Sequence, residues 1–154
     1  MDTEELYDKL YRYCYMKTGH RQTAEDITQE TFLHFLQAHD YREIGKQMAY
    51  LYTIARNLCY DHYRKQTEIP IELQEDMLYA DEVNVQATTI ALEQAMQRLT
   101  EEERELLFLR YTNGLSAAQT AEILGLSRFA VYRREKQALK QLKHMLDRRD
   151  FYDG

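Results

Sequence analysis

Six side chains able to contact nucleic acid recur at helical intervals near the middle of the chain. They are Thr53, Arg56, Asn57, Tyr60, Asp61 and Arg64. Amide and guanidinium groups can hydrogen-bond base edges, and a tyrosine ring can stack on an unpaired base. A face that only solvates a helix more often carries Glu and Lys. The pattern therefore indicates a nucleic-acid contact, with an ordinary polar face as the alternative.

A second candidate surface lies near the C-terminus, where the sequence predicts a basic helix. From Ser127 to Arg149 there are eight Lys or Arg and two acidic residues, in a chain of net charge −6. The candidate contacts on its polar side are Arg128, Tyr132, Arg133, Lys136, Gln137 and Lys140. Such groups can contact phosphates and base edges. The alternative is a solvated amphipathic helix.

Two short helices are predicted to hold this second surface in place. Thr100 and Ser116 each precede an apolar helical pattern and have Glu103 or Gln119 three residues later, which is the spacing of a capping box. Gly125 then provides a tight turn into the basic helix. A short helix, a turn with glycine and a longer helix form a helix-turn-helix, whose last helix enters the DNA major groove.

The composition favours a protein built from helices alone. The 154 residues include one Pro and five Gly, and 44% of them are apolar, which is enough for a packed core. There is no run of roughly 18–20 apolar residues, as a membrane span requires, and no signal peptide at the N-terminus. We therefore expect an all-α protein of the cytoplasm, without direct membrane insertion.

The sequence contains no pattern typical of an enzyme or a metal site. Cys14 and Cys59 fall on separate predicted helices, and none of the five histidines has ligand spacing with them. In a reducing compartment they are most simply buried thiols, and a redox role is left open. Phosphate-binding glycine loops and nucleophile motifs are missing as well. We expect no cofactor, no metal and no catalytic residue.

The charge distribution divides the chain into two modules and a bridge. Residues 67–89 hold six acidic side chains, no basic one and the single proline, Pro70. We predict a flexible acidic linker there, with a short helix over 72–79 as the alternative. The linker joins an N-terminal module, 1–66, to the helix-turn-helix module, 90–149.

The N-terminal module is predicted to contain three or four helices. The first ends near Gly19, and the second directs Ile27 and Leu36 inward. A loop over 40–46 precedes a third helix over about 47–66, which carries the first candidate surface.

Three stretches resemble the bacterial RNA polymerase sigma factors of the extracytoplasmic-function (ECF) group, part of the sigma-70 family. Residues 24–33, AEDITQETFL, resemble that family's region 2.2, and residues 49–58, AYLYTIARNL, resemble its regions 2.3 to 2.4. Residues 115–142 resemble its region 4.2. The three occur in the family's order on both modules, which makes the combined resemblance specific.

The resemblance implies a transcription initiation factor that binds core RNA polymerase and directs it to promoter DNA. Asp26, Gln29 and Glu30 would contact the β′ clamp helices, and the β flap would be a second polymerase contact. The resemblance also implies an anti-sigma factor as a partner. We expect a monomer when the protein is free.

In the same family, a base of the −10 element is flipped out and held by the residue that matches Asn57. Tyr41, in the preceding loop, would line that pocket. The other candidate contacts to the −10 element are Arg56, Tyr60, Asp61 and Arg64. The helix-turn-helix would read the −35 element as duplex through the six residues named above for the basic helix.

The chain departs from the family pattern in its basic helix. Phe129 stands where the family commonly has Gly, and Tyr132 replaces a basic residue. We expect a similar fold with a different −35 preference. Two other functions remain: a stand-alone helix-turn-helix regulator that binds DNA unaided, and a sigma-like decoy.

Overall fold

The computed structural model describes residues 3–37, 44–67 and 87–150, and the regular structure in these ranges is helical. The helices are α1 (Thr3–Thr18), α2 (Arg21–Gln37), α3 (Ile44–Thr67), α4 (Ala87–Arg98), α5 (Glu101–Leu107), α6 (Ala117–Leu124) and α7 (Arg128–Asp150), with a π-helical turn over Phe108–Thr112. The predicted all-α fold is confirmed. Within these ranges, no helix is both long and apolar enough to cross a membrane.

The chain forms two compact units, the first containing α1–α3 and the second α4–α7. Helix α3 runs to Thr67 and begins at Ile44, three residues before the predicted start. Helix α4 begins at Ala87, so the predicted linker is bordered by helix on both sides. Most of that linker, and the loop residue Tyr41, lie outside the described residues.

In the first unit, three helices pack around a core that contains two tyrosines. Tyr13 of α1 and Tyr52 of α3 are both fully buried, and their rings meet edge to face with centroids 5.4 Å apart. Buried aromatic pairs of this geometry add about 0.5–1.5 kcal/mol beyond the area they bury. The contact joins the first helix to the third, and so fixes the helix that carries the candidate surface.

Helix α2 turns Ile27 inward, as the apolar pattern predicts, but its other buried residues include two threonines and not Leu36. Thr28 and Thr31 are fully buried, and their hydroxyls donate to the carbonyl oxygens of Ala24 (2.6 Å) and Ile27 (2.7 Å). Each threonine thereby satisfies its polar atom within its own helix. Because these residues occupy the inner side, Leu36 is 71% exposed, and the prediction that it points inward is wrong.

The two cysteines are neighbours in this core. Cys14 on α1 and Cys59 on α3 are both free thiols with no exposed surface. A hydrogen bond from Cys59 lowers the pKa of Cys14, and this outweighs the opposite effect of burial. The prediction of buried thiols on separate helices is confirmed.

In the second unit, the polar signals of the helix-turn-helix form the contacts that the sequence predicts. The capping boxes at Thr100 and Ser116 are both present. In each, the cap hydroxyl accepts from the backbone amide three residues later, and the side chain of that later residue accepts from the backbone amide of the cap. Gly125 closes α6 with a φ of 68°, which a residue with a side chain adopts only under strain. Val131 and Ala138 are fully buried on the inner side of α7.

The cap at Ser116 offers a direct test of this arrangement. Its hydroxyl accepts from the amide of Gln119 at 3.0 Å, so Ser116→Ala leaves that amide without its partner. We expect the C-terminal unit to lose about 1 kcal/mol of unfolding free energy, measured by chemical denaturation followed by far-UV circular dichroism. Thr112→Ala removes an exposed hydroxyl from the preceding turn and serves as the matched control. Equal denaturation midpoints for the two variants would contradict the cap.

Candidate nucleic-acid and partner interfaces

Helix α3 presents the predicted polar residues on its outer side, opposite the buried Leu51, Ala55 and Cys59. Asn57 is exposed there, and its amide makes no hydrogen bond to any residue that the structure describes. A side-chain amide with unused donors and acceptors can pair with the edge of a base. The buried inner side of α3 fixes the backbone position from which this amide extends.

The ring of Tyr60 is in contact with two cations. The Nζ of Lys17 lies 5.1 Å from its ring centroid, and the guanidinium carbon of Arg56 lies 4.9 Å from it. Lys17 is only 4% exposed, and the ring contributes a favourable electrostatic contact to this nearly buried ammonium group. The sequence pattern identified Arg56 and Tyr60 as neighbours but missed Lys17, which comes from a different helix.

Asp61 and Arg64, two more of the predicted residues of this face, pair with each other. Arg64 donates to a carboxylate oxygen of Asp61 one helical turn earlier. Both side chains are substantially exposed, so the pair adds little stability, about 0–1 kcal/mol. The Arg64 side chain is 80% exposed, so its guanidinium is accessible to another anion. Tyr41 lies outside the described residues.

The outer side of α2 combines acidic and apolar groups. Asp26, Gln29 and Glu30 are all exposed, as their spacing predicts. Asp26 accepts from Gln22 at 2.9 Å, and Glu30 lies 3.5 Å from His34. Toward the end of the helix, the exposed Leu33 and Leu36 continue the same side. The sequence prediction missed this apolar part, because the buried threonines were not recognised as core residues.

The outer side of α7 carries an uncompensated positive charge. Arg128, Arg133, Lys136 and Lys140 are exposed, and none forms an ion pair with the part of the chain that the structure describes. Gln137 lies at the edge of this side, where it lines a groove of about 290 Å³ between α5 and α7. The structure thus brings the predicted basic residues together, with Gln137 set apart from them.

An inward network holds α7 at one rotation about its axis. Glu135 is 6% exposed, and its carboxylate lies 3.4 Å from the Nε of Arg110. Arg110 also donates to the carbonyl oxygen of Leu115 at 2.8 Å and lies 5.9 Å from the ring centroid of Tyr132. A hydrogen bond to Glu135, together with burial, raises the pKa of Tyr111.

Neither the network nor its geometry follows from the sequence pattern, which marks Glu135 only as a charge on a basic helix. Arg110 and Tyr111 are consecutive residues of the π-helical turn. Such turns are rare in proteins and often occur at functional positions. Here the turn allows two adjacent side chains to reach the same carboxylate of α7.

A helix-turn-helix with an exposed basic side on its last helix defines a DNA-binding protein. Comparison with known proteins extends this. Residues 3–69 match the family described as Sigma-70 region 2, and residues 95–144 match Sigma-70, region 4. The chain is 31% identical over 152 residues to the ECF RNA polymerase sigma factor SigL of Mycobacterium tuberculosis, covering 90% of this chain and 85% of SigL.

Two further similarities agree with these matches. The chain is 34% identical to the ECF RNA polymerase sigma factor BldN of Streptomyces coelicolor over 157 residues, or 93% of this chain and 58% of BldN. Its fold is similar to that of the sigma factor RpoE of Bartonella quintana, with a TM-score of 0.69, 24% identity and 92% of each chain covered. The protein belongs to the family of ECF sigma factors, which direct RNA polymerase to promoters.

A histidine on α3 makes the first unit sensitive to acid. Burial lowers the pKa of His62 from 6.5, and the nearby His20 and Lys65 act in the same direction. The folded state therefore binds a proton less readily than the unfolded state, so stability falls as pH drops through 6.5. We expect the melting temperature to be lower at pH 5.5 than at pH 7.5, and His62→Gln to reduce that difference. An unchanged difference in the variant would show that other groups cause it.

Proposed function

We propose that this protein binds core RNA polymerase through the outer side of α2, holds a −10 base with α3 and reads −35 duplex with α7. The observation that carries the proposal is that one chain presents two complementary surfaces. On α3, the exposed Asn57 makes no side-chain hydrogen bond to a described residue, and on α7 the exposed basic residues form no ion pair with one. The first suits an unpaired base and the second suits duplex phosphates. Promoter opening requires both kinds of contact.

At the −10 element, Asn57 binds the edge of a flipped-out base, and Tyr41 stacks beside it. Capture of the base offsets an unstacking cost of a few kcal/mol. Tyr60 keeps Arg56 next to this site, with the guanidinium carbon 4.9 Å from its ring centroid, and this cation can approach the DNA backbone. Arg64 adds a further cation when it leaves Asp61 for a phosphate.

Core polymerase binds α2 through Asp26, Gln29 and Glu30. The exposed carboxylates suit basic side chains on the clamp helices of β′, and Leu33 and Leu36 extend the contact with apolar area. The C-terminal unit contacts the β flap while α7 occupies the major groove, through Arg128, Arg133, Lys136, Lys140 and the flanking Tyr132 and Gln137. Two weak sites on one chain gain avidity when both are engaged.

The regulation of the protein follows from the same surfaces. RpoE of Bartonella quintana was solved in complex with the anti-sigma factor NepR, and we propose an anti-sigma partner for this protein as well. Such a partner would compete with polymerase for α2 or with DNA for α7. The protein acts in the cytoplasm, as a monomer when free, and contributes no catalytic group of its own.

Run-off transcription from genomic fragments tests the proposal as a whole. Purified core polymerase is assayed with and without the protein, and the transcripts are mapped. We expect discrete new start sites that require the protein, preceded by a shared −35 and −10 motif. Polymerase binding without new starts would favour a decoy, and DNA binding without polymerase would favour a stand-alone regulator.

Replacement of Asn57 separates promoter opening from polymerase binding. Because the side chain is exposed, Asn57→Ala should leave the fold and the affinity for core polymerase unchanged. We expect open-complex formation to fall by about 5- to 150-fold, the effect of losing one base contact worth about 1–3 kcal/mol. Permanganate footprinting on a cognate promoter measures the opening. Unchanged footprints would exclude Asn57 from the base pocket.

The reciprocal variant is Asp26→Arg, which reverses a charge on the exposed side of α2. It should weaken the affinity for core polymerase several-fold, as measured by fluorescence anisotropy, because an arginine would repel the basic groups of the clamp. Once enough protein is added to saturate the polymerase, promoter opening should recover. If the variant keeps its affinity for core polymerase, the proposed contact between α2 and the clamp is wrong.

A further inference from the structure

A large apolar side chain lies on the exposed basic side of α7, at its first turn. Phe129 is 87% exposed, the highest value among the large hydrophobic residues that the structure describes. It is the second residue of α7, directly after the turn at Gly125 and the cap at Ser127, whose hydroxyl accepts from the amide of Ala130 at 3.1 Å. The ring is therefore held on a rigid first turn.

The position of Phe129 around α7 is set by the buried residues. At about 100° per residue, Phe129 lies nearly opposite Val131 and Ala138, both of which are fully buried. Arg133 and Lys136 follow it by four and seven residues, so the ring and the two cations form one line along the helix. Phe129 thus lies within the basic surface, not at its margin.

Tyr132 follows Phe129 by three residues and so lies about one helical turn farther along α7. Tyr132 is 55% exposed and lies against Arg110, which is itself anchored to the carbonyl of Leu115 and to Glu135. The ring of Tyr132 thus lies near Arg110, while the ring of Phe129 projects into solvent.

The chemistry of the major groove determines what such a ring can contact. Base edges there present hydrogen-bond donors and acceptors, and the C5-methyl group of thymine is the one apolar feature. Covering a donor or acceptor with a phenyl ring would leave a polar group unpaired, which is unfavourable. Covering a methyl group removes apolar area from water instead.

We propose that Phe129, flanked by Tyr132, recognises thymine C5-methyl groups in the −35 duplex, and so makes this protein select a −35 element with thymine at the position under the first turn of α7. The inference rests on the proposed function, since it requires α7 in the major groove. A protein partner is the weaker alternative, because Arg128, Arg133 and Lys136 lie on the first turns of α7 with the ring, pair with no acidic residue that the structure describes, and suit phosphates. The first turn of a recognition helix is also the part that reaches base edges.

Deoxyuridine provides the test, because it differs from thymidine only by the missing methyl group. Promoters found by run-off transcription are prepared with single thymidines of the −35 region replaced by deoxyuridine, one strand at a time. Binding of the holoenzyme is measured by competition against the unmodified promoter. With the unsubstituted protein, we expect a roughly fourfold loss at each contacted methyl, the value of one buried carbon.

Two variants assign the effect to the ring. Phe129→Ala should bind the thymidine promoter more weakly and should no longer distinguish it from the deoxyuridine promoter. Leu139→Ala removes another exposed apolar side chain of α7, about 15 Å farther along the helix, and should behave like the unsubstituted protein. Because Phe129 is almost fully exposed, its replacement should not change the melting temperature.

The outcomes separate this inference from the proposed function. If the protein gives no promoter-dependent starts, both fail together. If initiation depends on the −35 duplex but no thymidine can be distinguished from deoxyuridine, only the role of Phe129 is overturned. Methyl sensitivity that survives in Phe129→Ala would assign it to another residue. A loss of core polymerase binding by Phe129→Ala without DNA would show that the ring contacts protein.

Discussion

The contact between Glu135 and Arg110 governs the C-terminal unit. A carboxylate that is 6% exposed must keep its cation, since breaking a buried pair costs about 3–5 kcal/mol. Together with the buried Val131 and Ala138, this pair favours one rotation of α7, which sets the direction of the outward residues. The π-helical turn belongs to the same constraint, because it brings Arg110 and Tyr111 together on one carboxylate. The direction in which the basic surface points therefore follows from which residues of α7 are buried.

The local features of this unit could be predicted from the sequence. Capping boxes, the glycine turn and the apolar stripe of Val131 and Ala138 each depend on residues within one or two helical turns. The pairing of Glu135 with Arg110 could not be predicted, because it spans 25 residues and depends on how two helices meet. A buried carboxylate and a solvated one look the same in a sequence pattern.

In the N-terminal unit, too, some features could be predicted from the sequence and others could not. The polar side of α3 was predicted with its members on one face, and the exposed position of Asn57 agrees with that. The inner side of α2 was mispredicted at Leu36, because a threonine that bonds to its own helix can replace an apolar residue in the core. Lys17 was missed because its partner, Tyr60, belongs to another helix. The roles of these residues in binding remain predictions.

The two neighbouring thiols of the first unit can also be used to follow its opening. The chain has two cysteines, Cys14 and Cys59, and both are fully buried in the core between α1 and α3. A thiol reagent can reach them only when these helices separate, so the rate of labelling reports the opening of this unit alone. The helix-turn-helix contains no cysteine and contributes no signal. The two halves of the molecule can thus be followed independently, without introducing a label.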